Sequence, residues 1–242
     1  MNGTIADFTF ATELLESLVN DESPHGTTLV ICSTRKAFLR QIAPTLLTPQ
    51  AQEIPASQES LEEDEGPQNP LPHRFLVPTL GLLAAARALK LAFCPTIKSL
   101  RAWLSTYTAS TDTFFARDSN ARRCLILVDL VLLHRDTSEF CVQGLSRTLA
   151  CAVEVAARNR MNLRLVECKD FHGVHDSTRG YDLWSAQVPL LSGSVRLGGD
   201  GVNWAGRAIS VRKIAGRWLR FEEKRPEAAR DEVGAEDEEM LV

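Results

Sequence analysis

The chain has 242 residues, 44% of them apolar and 24% charged, with a formal net charge of −4. Such a composition suits one α/β domain carrying some flexible sequence. No apolar run approaches the roughly 18 to 20 residues that span a bilayer, and residues 1–7 lack the basic and apolar regions of a signal peptide, so an intracellular protein that engages no membrane is expected.

Phe8, Ala11, Leu14, Leu15 and Leu18 share one helical face across 8–20, which predicts an opening helix. After a turn at 21–26, residues 27–33 predict a strand and 35–47 a helix, the first half of a βαβ unit. Residues 48–74 combine five prolines with an acidic run at 59–65; low hydrophobicity with high charge cannot offset the entropy of ordering, so a disordered insertion is expected there. A short strand at 75–78 is closed by Pro78. Leucine and alanine all round 79–91 predict a buried helix, with a strand beginning near Phe93. Residues 96–106 predict a helix whose apolar face is Ile97, Leu100, Trp103 and Leu104.

After a polar break, 124–133 is apolar at every position but Asp129. A continuous apolar run marks a strand covered on both faces, the habit of parallel sheets. A helix over 144–159 and a strand over 163–168 complete a strand–helix–strand unit. Near the C-terminus, the alternating runs 208–214 and 217–222 flank Ala215 and Gly216, which predicts a β-hairpin.

Six cysteines (32, 94, 124, 141, 151 and 168) form no CxxC pair; they read as small core residues in a reducing compartment. Charge is unevenly spread. From Glu222 onward nine acids face three bases, a net of −6, which leaves +2 on the rest. A mildly basic body thus precedes an acidic tail.

A phosphate-binding loop would place glycines and a Lys-Ser/Thr pair between the first strand and its helix. Residues 32–36 read Cys-Ser-Thr-Arg-Lys, and no glycine occurs between Gly26 and Gly66. Nothing fits GxxxxGK[ST], so no ATP hydrolysis and no cofactor are expected; an active ATPase with an unusual phosphate loop is the contrary reading.

The block 125–129 (Leu-Ile-Leu-Val-Asp), the helix opened by 145–149 and the strand after it resemble the Walker B half of the RecA-type recombinase core. Residues 203–207 (Asn-Trp-Ala-Gly-Arg) and the alternating segment after them are similar to the closing hairpin of the eukaryotic recombinase paralogues. The resemblance runs through 25–222 in element order, its specific part being 125–168 and 203–221. It implies a RecA-like three-layer α/β domain over 1–225, with a mostly parallel central sheet and a C-terminal antiparallel β-hairpin, followed by a disordered tail at 226–242. With the phosphate loop missing, the chain is similar to the degenerate members: subunits of the Shu complex type, which pair with a sibling RecA-like paralogue and a SWIM-domain protein to support recombinase filaments. The resemblance then implies a nuclear, noncatalytic subunit in homologous recombination and DNA repair. The RecA-like subunits of Elongator, which bind transfer RNA for wobble uridine modification, are the alternative. Asp129 matches the position that holds the Mg²⁺ water shell in active members; a strand-end carboxylate hydrogen-bonded locally is the competing reading.

In RecA-type folds the loop after this crossover touches single-stranded DNA. Here that loop, 169–180, supplies Lys169, Phe171, His172, His175 and Arg179, with Arg135 beside it. Cations track a phosphate backbone and aromatic faces stack on bases, a mixture suited to single-stranded or forked DNA; an ordinary polar loop reads the same way. Arg212 and Lys213 on the C-terminal segment extend the candidate DNA-binding set, or serve as a charged edge that discourages aggregation. Cys168, His172 and His175 offer three zinc ligands without an evident fourth, so no metal is expected. Trp184, Trp204 and Trp218 belong to the core or to a subunit contact. The acidic tail is placed to compete with nucleic acid for the basic surface.

Overall fold

The computed structural model describes residues 3–20, 26–48, 73–109, 123–171, 176, 178–190 and 208–222. At its centre is β4 (Cys124–Val128), which pairs in parallel with β2 (Thr27–Ile31) on one side and β5 (Asn162–Val166) on the other. Beyond β2 lies β3 (Leu89–Phe93), and beyond β5 lie β1 (Gly3–Ala6) and the two-residue β8 (Arg220–Phe221). All five pairings in this six-stranded sheet, ordered β3-β2-β4-β5-β1-β8, are parallel. A separate antiparallel pair joins β6 (Gln187–Pro189) to β7 (Ala208–Ser210).

Side-chain alternation along each strand divides the core in two. Leu125, Leu127, Leu163, Leu165, Val30 and Ile5 face a cluster built with α4 (Ile97–Thr106), α5 (Leu130–Arg135), α6 (Val142–Arg158) and α7 (Val211–Ala215). Ile126, Val128, Leu29, Ile31, Val166 and Ala6 face α1 (Ala11–Asn20) and α2 (Arg35–Leu47). The protein is therefore a three-layer α/β fold, and β4 is apolar at every position because helices cover both its faces.

Local chemistry sets the helix starts. Thr34 caps α2 by accepting the Ala37 N–H, and Thr96 forms a capping box with Ser99 at the head of α4. Gly144 sits in the first turn of α6 because an added Cβ would run into the Glu139 carbonyl oxygen.

Several expectations need correction. The helix predicted to open the chain is preceded by β1, so α1 is the crossover between β1 and β2, and the first strand-to-helix loop is 7–10, not 32–34. Residues 74–76 form a 3-10 turn in place of the strand expected at 75–78, held by the Phe75 N–H donating to His73 Nδ1. The helix expected to be buried at 79–91 is α3 (Leu80–Ala88), which buries no residue, and 89–93 is the edge strand β3. The apolar run 124–133 turns into α5 after Asp129. The antiparallel pair lies at 187–189 with 208–210, not between 208–214 and 217–222: residues 211–215 are helical, and β8 runs parallel to β1. Most of the predicted insertion (49–72), the tail at 226–242, His172, His175 and Trp204 lie outside the described residues.

Candidate functional site

Because the sheet strands are parallel, their C-terminal ends share one edge, where ligands of open α/β sheets usually bind. A cleft of about 500 Å³ opens there, lined by Ser33, Arg40 and Gln41 after β2, Asp129 after β4, and Asp170, Phe171, Asp176 and Arg179 after β5. Asp129 adopts the left-handed conformation (φ 60°, ψ 39°), which Asp and Asn tolerate better than most residues. That turn points its carboxylate across the strand ends: Oδ1 accepts the Cys168 N–H at 2.8 Å and Oδ2 a longer bond of 3.4 Å from Gln41. Asp129 therefore does not cap α5 itself. Glu167 reaches over from the end of β5 and accepts the Val131 N–H at 2.6 Å and the Leu132 N–H at 3.2 Å, satisfying amides that the helix start leaves orphaned.

Both carboxyl groups are almost fully buried. Burial pushes Asp129 up from 3.8 to about 6, against the pull of its two hydrogen bonds. Glu167 is pushed up further by burial and by the neighbouring Asp129, while the three backbone N–H groups of 130–132 hold it back. Burial likewise raises the Cys32 and Cys168 thiols well above their usual range, so neither is poised as a thiolate. Asp129 is, as the local reading expected, a strand-end carboxylate engaged by neighbouring backbone. Among the described residues no three His, Cys, Asp or Glu side chains converge as metal ligands.

Beside this cleft the structure places four of the predicted DNA-binding residues and shows what holds them. Lys169 pairs with Asp182 at 3.1 Å and Arg179 with Asp170 at 2.6 Å. Arg135 donates to the Thr178 carbonyl oxygen at 2.7 Å, and Phe171 packs against Phe10 with ring centroids 6.1 Å apart. Gly180, at φ +70°, lets the Lys169 stem lie against the chain. These side chains knit the flank together.

The C-terminal segment is different. Val211, Ile214 and Ala215 of α7 are buried, which turns Arg212 and Lys213 outward. Arg217 and Arg220 are exposed as well, Trp218 is 41% exposed, and no acidic residue occurs anywhere in 208–221. Arg212 lies over the Phe221 ring at 4.1 Å and reaches Tyr181 Oη at 3.4 Å, so this surface adjoins the 169–181 flank. Trp184, by contrast, is fully buried, meeting Phe221 edge-on at 5.7 Å.

No family model and no curated protein matches this chain. The site therefore rests on its own geometry.

Sequence reasoning missed Glu167 and Gln41, whose partners lie far along the chain. It also missed an inner network behind α6: Arg101 bonds Thr148 Oγ1 at 3.0 Å, Glu139 at 2.8 Å and the Gly144 carbonyl at 2.9 Å, and the buried His134 bonds Thr148 at 2.9 Å. The one available signal was Asp129, an ionisable residue inside an apolar run.

Proposed function

We propose that this chain is a noncatalytic RecA-like subunit of a nuclear complex that supports homologous recombination and DNA repair. It binds single-stranded or forked DNA and partner subunits, a sibling RecA-like paralogue and a SWIM-domain protein, and so assists recombinase filaments. The observation that carries the DNA-binding part is the α7–β8 segment, where exposed Arg212, Lys213, Arg217 and Arg220 flank the exposed Trp218 along the chain and the following Glu222 is paired with Arg164. Cations of this kind neutralise backbone phosphates, and an indole face stacks on an unpaired base with a worth of about 1–3 kcal/mol.

The noncatalytic part is supported by the strand-end cleft. The strand-to-helix loops that frame it, 7–10 and 32–34, contain neither glycine nor lysine, so they lack the means to wrap a triphosphate in backbone N–H groups. Of the cleft's two arginines, Arg179 is already committed to Asp170.

The test compares binding of labelled single-stranded DNA, forked DNA and transfer RNA to the purified chain at low salt, alongside Mg²⁺-dependent ATP turnover. The reading expects the two DNA forms to bind several-fold tighter than transfer RNA, with no turnover above background. Preference for transfer RNA would move the chain to an Elongator-type role, and ATP turnover would overturn the noncatalytic assignment.

A further inference from the structure

Among the described residues, a run of exposed apolar side chains lies at the opposite edge of the sheet from β8. Helix α3 reads Leu-Gly-Leu-Leu-Ala-Ala-Ala-Arg-Ala, yet none of these residues is buried. Leu80 is 87% exposed and Leu83, one turn further on the same face, 54%. Exposed Leu76 and Val77 lead into the helix. Beyond it, β3 is the edge strand, and Leu91 stands 57% exposed. Leu89 and Phe93 pack into the cluster under α1 and α2, so by strand alternation Leu91 points to that same side, the side on which α3 packs beside α1.

These five side chains expose roughly 500 Å² of apolar surface, at the upper end of what a monomer shows as its largest patch. One side of a standard interface covers ~800 Å², of which about 60% is apolar. The patch therefore matches the apolar share of one partner's half of an interface.

Charge decides what covers it. Residues 74–93, which form this surface, hold Arg74, Arg87 and Lys90 and not one acid. A second copy docked symmetrically through this face would bring two patches that each carry an exposed Arg87 together, a like-charge arrangement that costs affinity. The chain's own acidic stretches have complementary charge but little apolar surface: 59–65 contains only Leu61, and 231–242 has its acids ahead of three apolar residues at the extreme end.

We infer that α3 and the β3 edge form a docking surface for a different protein, one that presents an apolar strip bordered by carboxylates. Leu80 and Leu83 enter that strip, and Arg87 meets its acidic border. The inference stands apart from the DNA-binding reading, since it uses the other end of the sheet.

The test uses the full chain and two synthetic amphipathic helical peptides with the same leucine face, one flanked by glutamates and one by lysines. Titration is followed by fluorescence anisotropy, and amide exchange of 80–91 is measured alone and with peptide. The glutamate peptide is expected to bind at least tenfold tighter than the lysine peptide and to protect 80–91. Leu83→Glu should abolish that binding; because Leu83 is exposed, the variant should keep the wild-type melting temperature. Arg87→Glu should narrow or reverse the preference. Equal binding of both peptides, or of neither, overturns the inference. A concentration-dependent dimer that Leu80→Glu dissolves assigns the surface to a second copy and overturns it too. So does protection of 80–91 in the free chain that disappears when 49–72 or 226–242 is deleted, which would make the occupant internal. Loss of DNA binding with peptide binding intact would refute only the proposed function.

Discussion

Replacing Asp129 by Asn should stabilise the protein at neutral pH and do little in acid. In the fold the Asp129 carboxyl titrates at about 6, against 3.8 in the absence of burial. Between these values the folded state keeps a proton that the unfolded chain has lost, so this group's contribution to stability falls as pH rises from about 4 to 6 and stays low above. A gap of about two units corresponds to ~3 kcal/mol at ~1.4 kcal/mol per unit. Asn keeps an oxygen for the Cys168 N–H and tolerates the left-handed backbone, but it gives up the charge-assisted share of that bond, about 1 kcal/mol. The net expectation is a gain of about 1–2 kcal/mol at pH 7.5 and none at pH 4, measured as the difference between variant and wild type in urea unfolding followed by tryptophan fluorescence. The difference matters because His134 works the other way. Its pKa is lowered, chiefly by burial, so it withdraws stability as pH falls below the ordinary histidine range, equally in both proteins. An Asn variant less stable than wild type at pH 7.5, or a difference that does not change with pH, would refute the account of the buried carboxylates.

Glu167→Ala should cost about 2–4 kcal/mol, because the Val131 and Leu132 N–H groups lose their acceptor inside the fold; thermal melts at neutral pH measure it. Gly144→Ala should cost more than ~2 kcal/mol despite alanine's higher helix propensity, since its Cβ meets the Glu139 carbonyl at the start of α6; a wild-type melting temperature would contradict the geometry there. Deleting 226–242 removes seven acids and one base, a net of −6, so DNA affinity at low salt should rise several-fold; unchanged affinity removes the tail from the account.

How much of this was legible in the sequence depended on how far apart the deciding contacts lie. β4 could be read because helices cover both faces and every position is apolar, and β5 because Asn162 and Arg164 alternate with buried Leu163 and Leu165. α2, α4 and α6 could be read as helices from local sequence, and the structure adds their caps. β1 could not: four residues with only Ile5 and Ala6 buried give no pattern, and the strand exists because it pairs with β5 and β8. β3 continues the Leu-Ala composition of α3, and only its pairing with β2 makes it a strand. The hairpin reading failed because a short run supports two periods. Val211, Ile214 and Ala215 fit one helical turn as well as alternation fits a strand, and Ser210 settles it by accepting the Lys213 N–H. Glu167 was invisible as a cap because the amides it serves lie 36 and 35 residues earlier in the chain.

The most direct test of the central claim is the salt dependence of single-stranded DNA binding by the wild type and by a variant with Lys213, Arg217 and Arg220 changed to Gln. All three are exposed and none is needed for packing. Arg212 is left in place because it lies over Phe221. If these cations contact phosphates, log affinity should fall with log salt at a slope shallower by about 2 in the variant, on the order of 0.7 per lost contact. Affinity at about 50 mM salt should fall at least tenfold while the melting temperature holds. An unchanged slope and affinity would contradict the assignment of DNA binding to the α7–β8 surface.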